Sequence, residues 1–95
     1  MHAVVRHYRG ASKLIDELAA RSADVQEVIR GVPGFVSYHL VKTADGGYSI
    51  TVCEDRAGTE ESSKRAAAYV RENLAALTAG PPEILEGEAV LHFAP

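Results

Sequence analysis

Apolar and polar side chains alternate along residues 3–9, and again along both arms of residues 33–53. Alternation of period two marks a strand with one covered face. Residues 3–9 therefore read as a first strand, punctuated by Gly10. Beyond it Leu14, Ile15, Leu18, Ala19, Val25, Val28 and Ile29 recur at intervals of three and four, one apolar stripe on an amphipathic helix. Ser12 is its expected N-cap, and Gly31, Pro33 and Gly34 end it. Two arms rich in β-branched and aromatic residues then flank Asp45-Gly46-Gly47, which predicts a hairpin. Residues 55–58 read as a connector, and Thr59 as the N-cap of a second helix whose stripe is Ala66, Ala67, Val70, Leu74 and Leu77. Gly80-Pro81-Pro82 stops that helix, and residues 83–93 read as a last strand with a bulge or bend at Gly87.

The order strand, helix, strand, strand, helix, strand predicts an α+β, ferredoxin-like sandwich in one domain, residues 1–95. Right-handed crossovers put both helices on one face of an antiparallel four-stranded sheet. Hairpin register decides which side chains share a face. A three-residue loop of Asp45, Gly46 and Gly47 sets Leu40 opposite Val52 and His39 opposite Cys53. It gathers Val36, Tyr38, Leu40, Ile50 and Val52 on one face and leaves Ser37, His39, Val41, Ser49, Thr51 and Cys53 on the other. A two-residue loop inverts one arm against the other, because strand periodicity is two. The first register separates aliphatic from polar side chains better and is the one expected here.

Composition narrows the functional classes. With 46% hydrophobic and 24% charged residues, the chain has ordinary globular proportions. A net charge of -3, with acids and bases interleaved, argues against nucleic acid, which needs clustered Lys and Arg. A single cysteine, Cys53, permits no internal disulfide and fits a reducing compartment, so a cytoplasmic location is expected. No window approaches the ~20 apolar residues that span a bilayer. Two helices leave the second sheet face open, expected to carry Val4, Arg6, Ser37, His39, Val41, Thr51, Cys53, Val90 and His92. That mixed surface is expected to pair with its copy in a homodimer.

The element order, the stretch Pro33-Gly34-Phe35-Val36-Ser37-Tyr38 and the Asp-Gly hairpin resemble the dimeric α/β-barrel superfamily, in particular its antibiotic-biosynthesis-monooxygenase-like domains. The resemblance implies protomers whose sheets pair into a barrel, each with a small pocket between sheet and helices. It implies activities ranging from cofactor-independent oxygenation of aromatic compounds to haem cleavage, lactone isomerisation or none known. Active members often place a tryptophan near the third strand, and this chain has none.

Candidate chemistry centres on His7, Tyr38 and Tyr69. On the expected register His7 and Tyr38 point toward the helices, with Tyr69 at the edge of the second stripe. An imidazole there takes a proton from a phenol-like substrate while the tyrosines hold its oxygens. The competing reading has the rings filling core and sending their hydroxyls to the surface. The four histidines show no His-x3-His spacing, and His39, Cys53 and His92 on separate strands are expected to hold no metal. No cofactor is expected. Ser62, Ser63, Ala66 and Ala67 make the second helix small-sided, which serves either close packing or room for a ligand. Two functions follow as expectations: a cofactor-independent monooxygenase or isomerase-like enzyme acting on a small aromatic or lactone-like compound, or a non-catalytic small-molecule-binding or dimerisation module.

Overall fold

Four strands alternate with helices as the sequence patterns require, in the order β1 (His2–Arg9), α1 (Ser12–Ala20), α2 (Ser22–Arg30), β2 (Phe35–Thr43), β3 (Gly46–Cys53), α3 (Arg56–Asn73) and β4 (Glu83–Glu88). A single 3-10 turn, Ala75–Leu77, follows α3. The computed structural model describes residues 1–78 and 80–95. The sheet runs β2-β3-β1-β4 with every neighbouring pair antiparallel, the ferredoxin-like arrangement. Each crossover skips one strand, so β1 and β3 are central and lie beneath the helices. Among the described residues no helix is long and apolar enough to cross a membrane.

The first helical stripe is divided. Arg21, at φ -100 and ψ 36, closes α1 and opens α2. Its N–H still bonds the Glu17 carbonyl at 3.0 Å and its carbonyl still accepts from Val25 at 3.1 Å, so the result is a kink. Leu14, Ile15 and Leu18 from α1 join Tyr8, Ala11 and Leu74 in the buried cluster, and Val25 packs against it. Ala11 stands at the cap position, Ser12 is already helical, and no side chain caps this helix.

Hairpin register differs from the expected one. Thr43 pairs with Gly46 across the two-residue link Ala44-Asp45, so Leu40 faces Ser49 and His39 faces Ile50. The cause is steric. Gly46 and Gly47 lie inside β3, where they are residues of close approach. Gly46 has φ +145, and a Cβ on it would overlap the Tyr8 carbonyl oxygen. A Cβ on Gly47 would lie 2.8 Å from Ile15 Cγ1. Bare backbone at the head of β3 thus lets α1 and the end of β1 close over it.

Directly paired residues share a face. Val4, Arg6 and Tyr8 of β1 therefore lie with Ser49, Thr51 and Tyr38 beneath the helices. Ala3, Val5 and His7 lie on the other face with Tyr48, Ile50 and Val52. The expected faces of β1 and β3 are thus exchanged, while Ser37, His39 and Val41 stay on the open side as read. A register irregularity between Phe35 and Ser37 lets Phe35 meet Cys53 at the start of β2. Val90 and His92 lie past the end of β4 and are exposed. Gly87 pairs regularly with Ala3, with no bulge there.

Candidate functional site

The start of α3 sets the site. Asp55 is the N-cap, its Oδ1 accepting from Gly58 N–H at 3.1 Å, so the helix begins one turn earlier than Thr59. Gly58 sits where a Cβ would come within 2.8 Å of Cys53 Cβ and 2.7 Å of the Pro33 carbonyl oxygen. This lack of a side chain brings α3 close to the sheet. Thr59, Ser62, Ser63 and Ala66 then recur on the face that looks down on β1 and β3.

Beneath them lies Arg6, only 2% exposed. Its Nη1 donates to Ser49 Oγ and Thr51 Oγ1, each at 3.1 Å. Its Nη2 donates to Ser62 Oγ at 2.7 Å and Ser63 Oγ at 3.1 Å. Nε has no partner. Loss of hydration draws this guanidinium below its ordinary pKa, opposed by the nearby Tyr8, Tyr38 and Cys53. Arginine nevertheless remains cationic at neutral pH. The fold therefore buries a charge whose direct partners are all hydroxyls.

Arg6 and Ser63 border a pocket of about 400 Å³ between α3 and the β1–β4 edge. Ala66, Ala67 and Val70 form its helical side, and Pro81, Pro82 and Ile84 its opposite side. The volume falls in the range typical of small-molecule sites, about 300–1,000 Å³. The small residues of α3 thus leave room for a ligand, in addition to allowing close approach at Gly58. Neither His nor Cys lines the pocket among the described residues.

The structure sets His7 apart from Tyr38 and Tyr69. Tyr38 and Tyr69 border a common void of only about 20 Å³, with Leu18, Val25 and Ile29. That is room for roughly one water. Burial raises the Tyr38 hydroxyl from 10.0 to about 12, so it stays protonated at neutral pH. Tyr69 sends its hydroxyl outward to Asp24 Oδ2 at 3.1 Å, as the core-filling reading expects. His7, read as facing the helices, lies on the opposite sheet face. Its ring stacks on Tyr48 with centroids 4.2 Å apart and planes 5° from parallel. Arg9 Nε lies 3.4 Å from His7 Nδ1, and His7 Nε2, without a hydrogen-bond partner among the described residues, lies 3.6 Å from Asp45 Oδ2. His7 also borders a second hollow of about 350 Å³, which shares Tyr8, Thr78, Pro81 and Pro82 with the first.

Arg6, expected on the open sheet face, lies instead beneath α3. One signal pointed to it. Ser49, Thr51, Ser62 and Ser63 put hydroxyls at core-facing spacing on two elements, and buried hydroxyls need a polar partner. His39, Cys53 and His92 do not converge: Cys53 is buried, while His39 and His92 are exposed. Among the described residues no group of three or more His, Cys, Asp or Glu is placed to hold a metal ion.

No protein-family model matches the sequence, and neither does any curated protein. Solved structures do match. A protein of unknown function from Nitrosomonas europaea superposes with a TM-score of 0.72 at 20% identity, covering 99% of this chain and 92% of that one. The monooxygenase ActVA-Orf6 of Streptomyces coelicolor, solved with the ligand nanaomycin D, gives 0.64 at 26% identity over 99% and 90%. The haem degrader MhuD of Mycobacterium tuberculosis, solved with two haems in its active site, gives 0.71 at 19% identity over 99% and 100%. Further matches are an antibiotic biosynthesis monooxygenase and a protein from Bordetella bronchiseptica provisionally named as one. The chain therefore has the ferredoxin-like fold of the antibiotic-biosynthesis-monooxygenase-like proteins.

Proposed function

We propose that this protein binds a small planar aromatic compound between α3 and the sheet and oxidises it with molecular oxygen, without a cofactor. The observation that carries the reading is the apolar pocket of about 400 Å³ walled by Ala66, Ala67, Val70, Pro82 and Ile84. The fold supports it, because ActVA-Orf6, a monooxygenase, was solved with a small-molecule ligand. A phenol oxidised in this way takes one oxygen atom into its ring and returns the other as water, becoming a quinone. The substrate itself supplies the electrons. Proton removal is assigned for testing to His7, which borders the adjoining hollow. Tyr38 and Tyr69, expected to orient the substrate, act in this reading only through the small void they share. The test is oxygen uptake with naphthols and quinols, with the wild type above the solution background and His7→Ala below the wild type. No uptake above background overturns oxygenation. Retained binding of the same compounds then favours the second reading, a non-catalytic small-molecule-binding module.

We further propose that the open sheet face pairs with a second copy of the chain. Val5, Ile50 and Val52 lie on that face with Leu85, which is 61% exposed, and Val41, which is 43% exposed. Four strands of about six residues project roughly 400 Å², near the largest apolar patch a lone soluble chain usually shows. Sedimentation at micromolar concentration is expected to return twice the chain mass. A single-chain species contradicts the pairing.

A further inference from the structure

We infer that the ligand of this pocket carries an anionic oxygen, that of an acidic phenol, and that Arg6 and Ser63 select for it. The inference rests on the reading of the pocket as a ligand site and says what chemistry that site prefers.

The first ground is an unbalanced charge. Arg6 is 2% exposed, and its four hydrogen-bonded partners, Ser49, Thr51, Ser62 and Ser63, are all uncharged. Buried cations are ordinarily paired with a carboxylate, because removal from water is otherwise strongly unfavourable. Here no carboxylate pairs with it among the described residues. Arg6 also keeps an unpartnered donor at Nε. The described residues lining the pocket include two cations, Arg6 and Arg71, and no Asp or Glu. A ligand anion supplies the missing charge.

The second ground is the direction of the hydroxyl protons. Ser62 Oγ accepts from Arg6 and donates to the Thr59 carbonyl at 2.7 Å, so it is used in both senses. Ser63 Oγ also accepts from Arg6, but among the described residues it has no acceptor of its own. Its proton is therefore free to be donated, and Ser63 lines the pocket. A hydroxyl polarised by a guanidinium is a strengthened donor. The polar corner thus offers positive charge and a donor, while Ala66, Ala67 and Val70 offer apolar surface that suits a ring better than a small hydrated anion. An aromatic body with one ionised oxygen satisfies both halves. The same positive charge favours the phenolate over the phenol in the bound state. Phenolate is the electron-rich form, which gives up electrons to oxygen more readily.

The test compares a coloured acidic phenol, hydroxynaphthoquinone, with its methyl ether, which keeps the rings and loses the charge. In the wild type the anion is expected to bind about tenfold or more tighter than the ether. Its binding should weaken as the pH falls through the ionisation of the free compound, while that of the ether stays level. Arg6→Met should bring the two affinities together with the ether unchanged, and Ser63→Ala should narrow the gap in part. Because the wild-type comparison stands alone, a misfolded Arg6 variant does not remove the test. Equal binding of acid and ether by the wild type overturns the inference and leaves the pocket standing. Failure of both to bind overturns the pocket reading together with the inference.

Discussion

Gly46→Ala is expected to lower the unfolding free energy by roughly 3 kcal/mol, combining positive-φ strain with a backbone clash. Two independent features act at this site. Its φ of +145 lies where a Cβ is disfavoured, and the space a Cβ would fill is occupied by the Tyr8 carbonyl oxygen. Relief would require β1 to draw away from β3 at the Arg9–Gly46 pair, the point at which Gly10 N–H also bonds the Asp45 carbonyl. Urea unfolding should show a lower midpoint with the slope unchanged. Gly87→Ala is the control. A Cβ there meets nothing within 4 Å, and that variant should stay within about 0.5 kcal/mol of the parent. Equal stability of both variants would refute the role given to the head of β3.

Ala66→Phe is expected to abolish ligand binding while leaving the fold intact. Ala66 borders the 400 Å³ pocket, so a benzyl group can enter existing space. Overpacking of a filled core destabilises by about 1–3 kcal/mol, and an open pocket should escape most of that. Loss of affinity for a naphthol should reach about a hundredfold, roughly 2.8 kcal/mol. Calorimetric titration beside a thermal unfolding curve separates the two effects. Undiminished binding would move the site elsewhere, with the His7 hollow the next place to look.

What the sequence made legible was the architecture. Period-two alternation in residues 3–9 and 33–53, and period-3.6 stripes from Leu14 to Ile29 and from Ala66 to Leu74, give the element order and its one-sided layering. Local signals misplaced whatever depended on neighbours distant in the chain. Gly46 and Gly47 have turn chemistry, yet their role is to admit Tyr8 and Ile15, which no local pattern reveals. Thr59 and Asp55 both satisfy the N-cap preference, and only the close docking of Gly58 on Cys53 decides between them. Arg6 is the clearest case. Local alternation alone set its face, whereas its hydroxyl partners lie 43 to 57 residues further along. Assigning Arg6 to the wrong face carried His7 to the wrong face as well, because neighbouring strand residues alternate. Arg6 and the small face of α3 therefore border the larger hollow, while His7 borders the adjoining one and Tyr38 and Tyr69 a small void.

The hollow over Arg6, between α3 and β4, is the proposed seat of the ligand. Amide nitrogen–proton spectra recorded while a naphthol is added to the wild-type protein test it most directly. Shifts concentrated at Arg6, Ser63, Ala66, Ala67, Val70 and Ile84, and absent from Ile50 and Val52 on the other face, are the predicted result. Shifts gathered on the open face instead, or no change up to millimolar naphthol, would contradict the account.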